Sequence, residues 1–85
     1  MNRGDVFALI NAERSRQIAK WGRVHPWGMG DCSSSEVAPI VKVAVLCEEV
    51  GEVARAVLDD ETVDRLRAEL VQVAAVAVAW MEGLP

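Results

Sequence analysis

The chain has 85 residues and a mass of 9.2 kDa, the scale of one domain spanning residues 1–85. Nine Lys and Arg against thirteen Asp and Glu give a formal charge of −4, without the basic stripe of a nucleic-acid binder. At 52% hydrophobic the chain is too apolar for disorder, yet its longest apolar run, Val73 to Met81, is nine residues, far short of the about 20 that span a membrane.

The first segment predicts a helix with Asp5 as N-cap, running to about Lys20 and ended by Gly22. Its apolar stripe is modest (Val6, Leu9, Ile10, Ile18), and Glu13, Arg14, Arg16, Gln17 and Lys20 leave a wide polar face. The opening Met-Asn-Arg-Gly-Asp lacks the apolar core of a signal peptide, so a cytoplasmic protein is expected.

Residues 22–35 hold three glycines, a proline and three consecutive serines, and no apolar period survives there. They predict a long loop. Trp21 at its edge, Trp27 and the only histidine, His25, form either a wall for a flat ligand or indoles folded back over a small core.

A second helix is expected to start between Ser35 and Pro39, with a serine cap and a first-turn proline. On a wheel of about 100° per residue, Lys42, Glu48, Glu49, Glu52 and Arg55 share one arc of about 140°. The remaining apolar arc is wider than one neighbouring helix covers, which predicts packing on two sides and therefore a partner subunit. The polar stretch 59–62 breaks the pattern, and Asp60 or Thr62 caps a third helix from about Val63 to Glu82. The expected fold is all-α: three helices, a long loop after the first, the second and third an antiparallel hairpin, assembled into an oligomeric bundle. A chain this short buries too little surface alone, so a homodimer or a tetramer is expected.

Two cysteines, Cys32 and Cys47, make no disulfide framework, and with His25 they are too few and too widely spaced for zinc. Cys47, inside an apolar run, is expected to behave as a small hydrophobe.

The chemistry lies in the acids. Glu49 and Glu52, three apart, share a helix face, and Glu48 is four from Glu52. Such a cluster repels itself unless cations neutralise it; Arg55 is one candidate, and magnesium or manganese another, since hard cations prefer oxygen ligands. Glu69 and Gln72 are again three apart on the third helix. In a hairpin turning near Asp60, both pairs lie about ten residues, or ~15 Å, from the turn and face one another. Gly51, within the acidic run, costs up to ~1 kcal/mol relative to alanine and fits a close approach by another backbone or a ligand.

Glu48-Glu49-Val50-Gly51-Glu52 followed seventeen residues later by Glu69-Leu70-Val71-Gln72 resembles the E-E-x-x-E and E-x-x-D signature of the MazG-like nucleotide pyrophosphohydrolases, an all-α superfamily. Glu13-Arg14, Gln17, Lys20-Trp21-Gly22 and His25-Pro26 are similar to the leading segment of small phage-like and actinobacterial members, and the resemblance spans about residues 8–82. It implies magnesium-dependent (or manganese-dependent) hydrolysis of a nucleoside triphosphate to the monophosphate and pyrophosphate, a clearing of nucleotide pools. Glu49, Glu52, Glu69 and Gln72 become metal ligands, with Glu48, Glu49 and Glu52 as the catalytic acids and Glu48 orienting water. Arg16, Lys20 and Arg55 are candidate phosphate contacts, and Trp21, His25 and Trp27 candidate base contacts. Gln72 departs from the family's Asp and removes one negative charge. The competing expectations are a catalytically weak or inactive relative that binds nucleotide or metal, and an oligomeric helical interaction module. Neither a nucleic-acid polymer nor a membrane is an expected partner.

Overall fold

Helix α1 spans Arg3–Trp21. Asn2, not Asp5, is its N-cap: the Asp5 N–H donates to Asn2 Oδ1 at 2.9 Å, and the Asn2 N–H donates back to Asp5 Oδ2 at 3.3 Å. Asparagine caps as well as aspartate does, and an acid three residues on closes a reciprocal capping box. All 85 residues are described in this computed structural model.

The expected loop contains a small antiparallel hairpin, β1 (Val24–His25) paired with β2 (Gly28–Met29). Gly28 lies at φ 135° and Gly30 at φ 91°, conformations that side chains other than glycine rarely adopt. Gly28 also bridges to Val37, whose buried side chain ties the hairpin to the body of the chain.

Helix α2 covers Pro39–Leu58 and α3 covers Val63–Glu82. No serine caps α2; Ala38 occupies the position, and Pro39 starts the helix with one backbone N–H fewer to satisfy. The serines are engaged upstream: Ser34 Oγ accepts from the Glu36 N–H at 3.1 Å, and the Ser33 N–H and hydroxyl both donate to Asp31 Oδ1. Thr62 caps α3 by accepting from the Arg65 N–H at 3.2 Å. In the intervening turn Asp60 takes φ 52°, a left-handed conformation that Asp tolerates better than most residues. The fold is thus three helices, with α2 packed closely on α3 and α1 packed on α3. No helix is long and apolar enough to cross a membrane.

The interior is unusual. Its buried hydrophobic residues are only Val37, Ala56, Ala75, Val76 and Ala79, while five polar side chains, Glu13, Arg14, Gln17, Lys42 and Glu69, are buried beside them. The buried face of α1 is entirely polar: Glu13, Arg14 and Gln17. On α2 the polar arc divides: Lys42 is only 5% exposed and Glu49 half-buried, while Glu48, Glu52 and Arg55 are exposed. The opposite arc, carrying Ile40, Val43, Cys47, Val50, Ala54, Val57 and Leu58, is exposed. Cys47 is therefore a solvent-facing thiol rather than a core hydrophobe.

Arg14 joins three parts of the chain. Its Nε and Nη2 donate to the Glu82 carboxylate at 3.0 and 2.7 Å, and its Nη1 donates to Asp31 Oδ2 at 2.6 Å and Gln17 Oε1 at 2.9 Å. Burial pushes the Asp31 carboxyl up, but hydrogen bonds from Ser33 and Arg14 outweigh it and leave it below its ordinary range. The Arg14 hydrogen bonds likewise hold Glu82 low. Carboxylates depressed in the fold contribute stability that is complete above about pH 4, where they are also ionised when unfolded, and lost as pH falls through their folded values. Arg14→Met leaves these buried or part-buried acids without their counter-charge. It is expected to cost about 3 kcal/mol in urea denaturation at pH 7, and to flatten the acid limb of the stability–pH curve below about pH 4.

Candidate functional site

A pocket of about 600 Å³ opens between α1, the hairpin loop, and the inward arcs of α2 and α3. That volume falls in the range of about 300–1,000 Å³ usual for small-molecule sites. Each wall has a distinct chemistry, set by which helix faces inward.

Arg16, Lys20 and Trp21 come from α1, His25 and Trp27 from the hairpin, and all five expected substrate contacts from this region line the pocket. Trp21 is half-buried and Trp27 is 57% exposed, so the second indole stands at the mouth instead of covering the core. Trp21 meets His25 edge-on at 5.5 Å between ring centroids and Trp27 at 6.4 Å. Lys20 Nζ lies 5.1 Å from the Trp21 ring centroid. Both nitrogens of His25 are committed: Nε2–H donates to the Gly30 carbonyl at 2.7 Å, and Nδ1 accepts from the Trp27 N–H at 3.3 Å. A carbonyl only accepts, which fixes the neutral Nε2–H tautomer and leaves the ring face, not a nitrogen, for a ligand.

The acids divide. Glu48, Glu49 and Gln72 line the pocket; Glu52, Glu69 and Arg55 do not. Glu69 is buried and its Oε1 accepts from Arg65 Nη2 at 2.9 Å. Arg55 pairs with Asp59 at 3.7 Å and not with the acidic cluster it was expected to neutralise, because a Lys or Arg four residues before an acid on the same helix face finds it directly. Glu52 is exposed. Even so, Glu52 and Glu69 remain close enough to act on Glu49 electrostatically.

Glu49 is the pocket acid whose carboxyl is raised. Burial pushes its carboxyl above the ordinary range, and repulsion from Glu48, Glu69, Glu52 and Glu13 pushes it further. Glu49 itself makes no salt bridge, while Arg65 pairs with Glu69 and Arg16 with Glu13. No three His, Cys, Asp or Glu side chains converge as a ready ligand set for a metal ion. The donor chemistry nevertheless suits one, being several hard carboxylate oxygens, of which those of Glu48, Glu49 and Glu52 make no salt bridge.

The pocket wall also holds polar residues outside the expected site, among them Glu13, Gln17 and Asp31. Glu13 and Gln17 are buried, and with Trp21 they form an i, i+4, i+8 ridge on α1. That spacing was readable, but a polar ridge on an amphipathic helix ordinarily faces solvent. Cys32 also lines the pocket; burial and then the Asp31 charge push its thiol up, so it is not a reactive thiolate. Gly51 has no atom of the chain within 4 Å of where a Cβ would stand. Its close approach to another backbone is therefore not made within the chain.

No family model, no curated protein and no solved structure matches this chain.

Because the Glu49 carboxyl is raised in the fold, its ionisation opposes folding. That penalty is absent well below about pH 4, grows as pH rises through the unfolded value, and is complete above the folded one. Glu49→Gln is expected to raise the melting temperature at pH 7, with the gain shrinking to nothing when the same comparison is made near pH 3.

Proposed function

We propose that this chain is a magnesium-dependent nucleoside triphosphate pyrophosphohydrolase of the MazG-like kind, with the pocket between its helices as the active site. One observation carries the reading. Glu49 stands in the pocket wall, half-buried, without a salt bridge of its own and repelled by four further carboxylates. Such an arrangement opposes folding and gains a purpose when a divalent cation and a polyanion meet there. The acidic motif supports the same reading through its likeness to that family, as does the leading segment that supplies Arg16, Lys20 and Trp21.

Glu49, Glu52, Glu69 and Gln72 are the oxygen donors that would hold the ion, and Glu48 the acid that would orient a water. Magnesium or manganese, when bound, lowers the pKa of a coordinated water and screens phosphate oxygens from the carboxylates. Arg16 and Lys20 line the pocket on α1 and contribute positive charge for a phosphate chain; Arg55, held by Asp59, is less well placed for it. Trp21 and Trp27 offer π-faces on which a base stacks. Gln72 favours a second reading, a weakly active or inactive relative, since an amide adds no charge to the ligand set.

Self-association belongs to the same proposal, with α2 and α3 antiparallel about their short turn and a second copy covering α2. Ile40, Val43, Cys47, Val50, Ala54 and Val57 recur at three- and four-residue steps, the spacing of a helix–helix seam, and all are exposed. Ile40 is 74% exposed and Leu58 77%. With only five small hydrophobic residues buried in the chain itself, this arc is the largest reserve of apolar surface on the helix.

Pyrophosphate release from a panel of nucleoside triphosphates with magnesium tests the enzyme. Turnover is expected in the native chain and a loss of about a hundredfold or more in Glu49→Gln and Glu52→Ala, while Gln72→Asp is expected to lower the magnesium concentration needed for half-maximal rate. Nucleotide binding without turnover in the native chain and in Gln72→Asp would establish the inactive reading instead. For the assembly, sedimentation at micromolar concentration is expected to show a dimer or larger species that Val50→Glu reduces to a monomer; a native monomer would overturn it.

A further inference from the structure

The geometry points to Gln17 as a fixed hydrogen-bond donor that selects a carbonyl-bearing nucleobase edge over an amino-bearing one. This rests on the nucleotide reading of the pocket and adds to it the chemical class of base.

Gln17 is 9% exposed and lines the pocket. Its Oε1 accepts from Arg14 Nη1 at 2.9 Å. A carboxamide can ordinarily turn over and present either its oxygen or its nitrogen. Here it cannot, because a guanidinium has donors only and must face the oxygen. Arg14 is itself immobilised by Asp31 at 2.6 Å and by both oxygens of Glu82. The amide is therefore locked from one side, and its NH2 group points away from Arg14.

That NH2 group makes no hydrogen bond within the chain. Every side-chain nitrogen or oxygen sealed from solvent does have a partner. Nε2 consequently opens on accessible space, and the accessible space that Gln17 borders is the pocket. The result is a nearly buried donor with no acceptor in the chain, open to the pocket and free to donate to a ligand atom there. Gln72, on the opposite wall, is not pinned in this way and can present either end of its amide.

Gln17 and Trp21 lie four residues apart on α1, so their side chains are neighbours along one face, about 5–6 Å apart at Cβ. A base stacked on the Trp21 indole therefore has an edge within reach of Gln17. A keto oxygen there accepts the Nε2–H bond. An exocyclic amine sets donor against donor and leaves both unsatisfied. The ligand class is a nucleotide with a keto group on its recognised edge, such as uracil, thymine, guanine or hypoxanthine.

Binding of α,β-imido triphosphates, which resist cleavage between the first two phosphorus atoms, tests this by quenching of tryptophan fluorescence with magnesium present. The two pairs compared are deoxyuridine against deoxycytidine and inosine against adenosine. The keto member of each pair is expected to bind about tenfold tighter or more. In Gln17→Met that preference is expected to fall below about twofold. In Gln17→Glu, where the outward atom becomes an acceptor, it is expected to reverse. The native comparison needs no variant to fold. Equal binding of keto and amino members by the native chain overturns the donor assignment and leaves the pyrophosphohydrolase reading standing. So does a keto preference that survives both variants. Failure of all four nucleotides to bind overturns both.

Discussion

A buried guanidinium cannot leave its donors unpaired, and that requirement organises this molecule. Arg14 presents a planar fork of N–H groups, and acceptors reach it from three places: Gln17 one turn along α1, Asp31 in the hairpin loop, and Glu82 in the last turn of α3. Removing any one acceptor leaves an Arg14 N–H donor without its partner in a place water reaches poorly. The loop that would otherwise be the least constrained segment is in this way tied to two helices. Asp31 passes the constraint on by accepting from both the N–H and the hydroxyl of Ser33. The aromatic side of the pocket, Trp27 and His25, hangs on that loop, and so the shape of the pocket depends on this charge network.

The second organising fact is the reversal of amphipathy. Ordinary surface helices bury an apolar stripe. Here α1 buries Glu13, Arg14 and Gln17 and exposes Val6, Phe7 and Ile18, and α2 buries Lys42 while exposing Ile40, Val43, Val50 and Val57. Small residues make this tolerable. Ala56, Ala75 and Ala79 let α2 and α3 approach closely, and around that narrow apolar seam the polar groups find one another. The consequence is a chain with charged and polar side chains in its interior and large apolar ones on its exterior.

How much of this was legible follows from the same reversal. Helix α3 could be read at both ends, because Thr62 and Gly83 are local signals that need no knowledge of neighbours. The first cap was misplaced by three residues, since Asn2 and Asp5 are both good capping residues and only their reciprocal bonding assigns the roles. The hairpin was invisible: strands of two residues have no alternation to detect, and what holds them is the positive φ of Gly28 and Gly30 and the distant Val37. Acids, cations and aromatics at the pocket were picked out by residue type, and Glu48, Glu49, Gln72, Arg16, Lys20, Trp21, His25 and Trp27 do share one cavity. Glu13 and Gln17 were passed over for a physical reason. A helical wheel shows which residues share a face, but not which face is inside, and the usual assumption that the apolar one is buried fails for this chain.

Gly51 brings these strands together. A glycine in the middle of an exposed helix costs up to ~1 kcal/mol relative to alanine, and no atom of its own chain lies close enough to require it. It sits between the acidic residues Glu49 and Glu52 and beside the outward seam of Cys47, Val50 and Ala54. This stretch of α2 therefore faces two ways: Glu48 and Glu49 toward the pocket, Cys47, Val50 and Ala54 toward solvent. In the proposed assembly the small residues are where a second backbone comes nearest, and the carboxylates on the same turn are where the charge is greatest. Helix α2 cannot shift against a partner without moving Glu49, whose carboxyl is already disfavoured by burial and by its acidic neighbours. A helix shaped in this way is poorly suited to stabilising an isolated chain. It is well suited to holding strained charge at a fixed position, which is what a cation-dependent site for a polyanion demands.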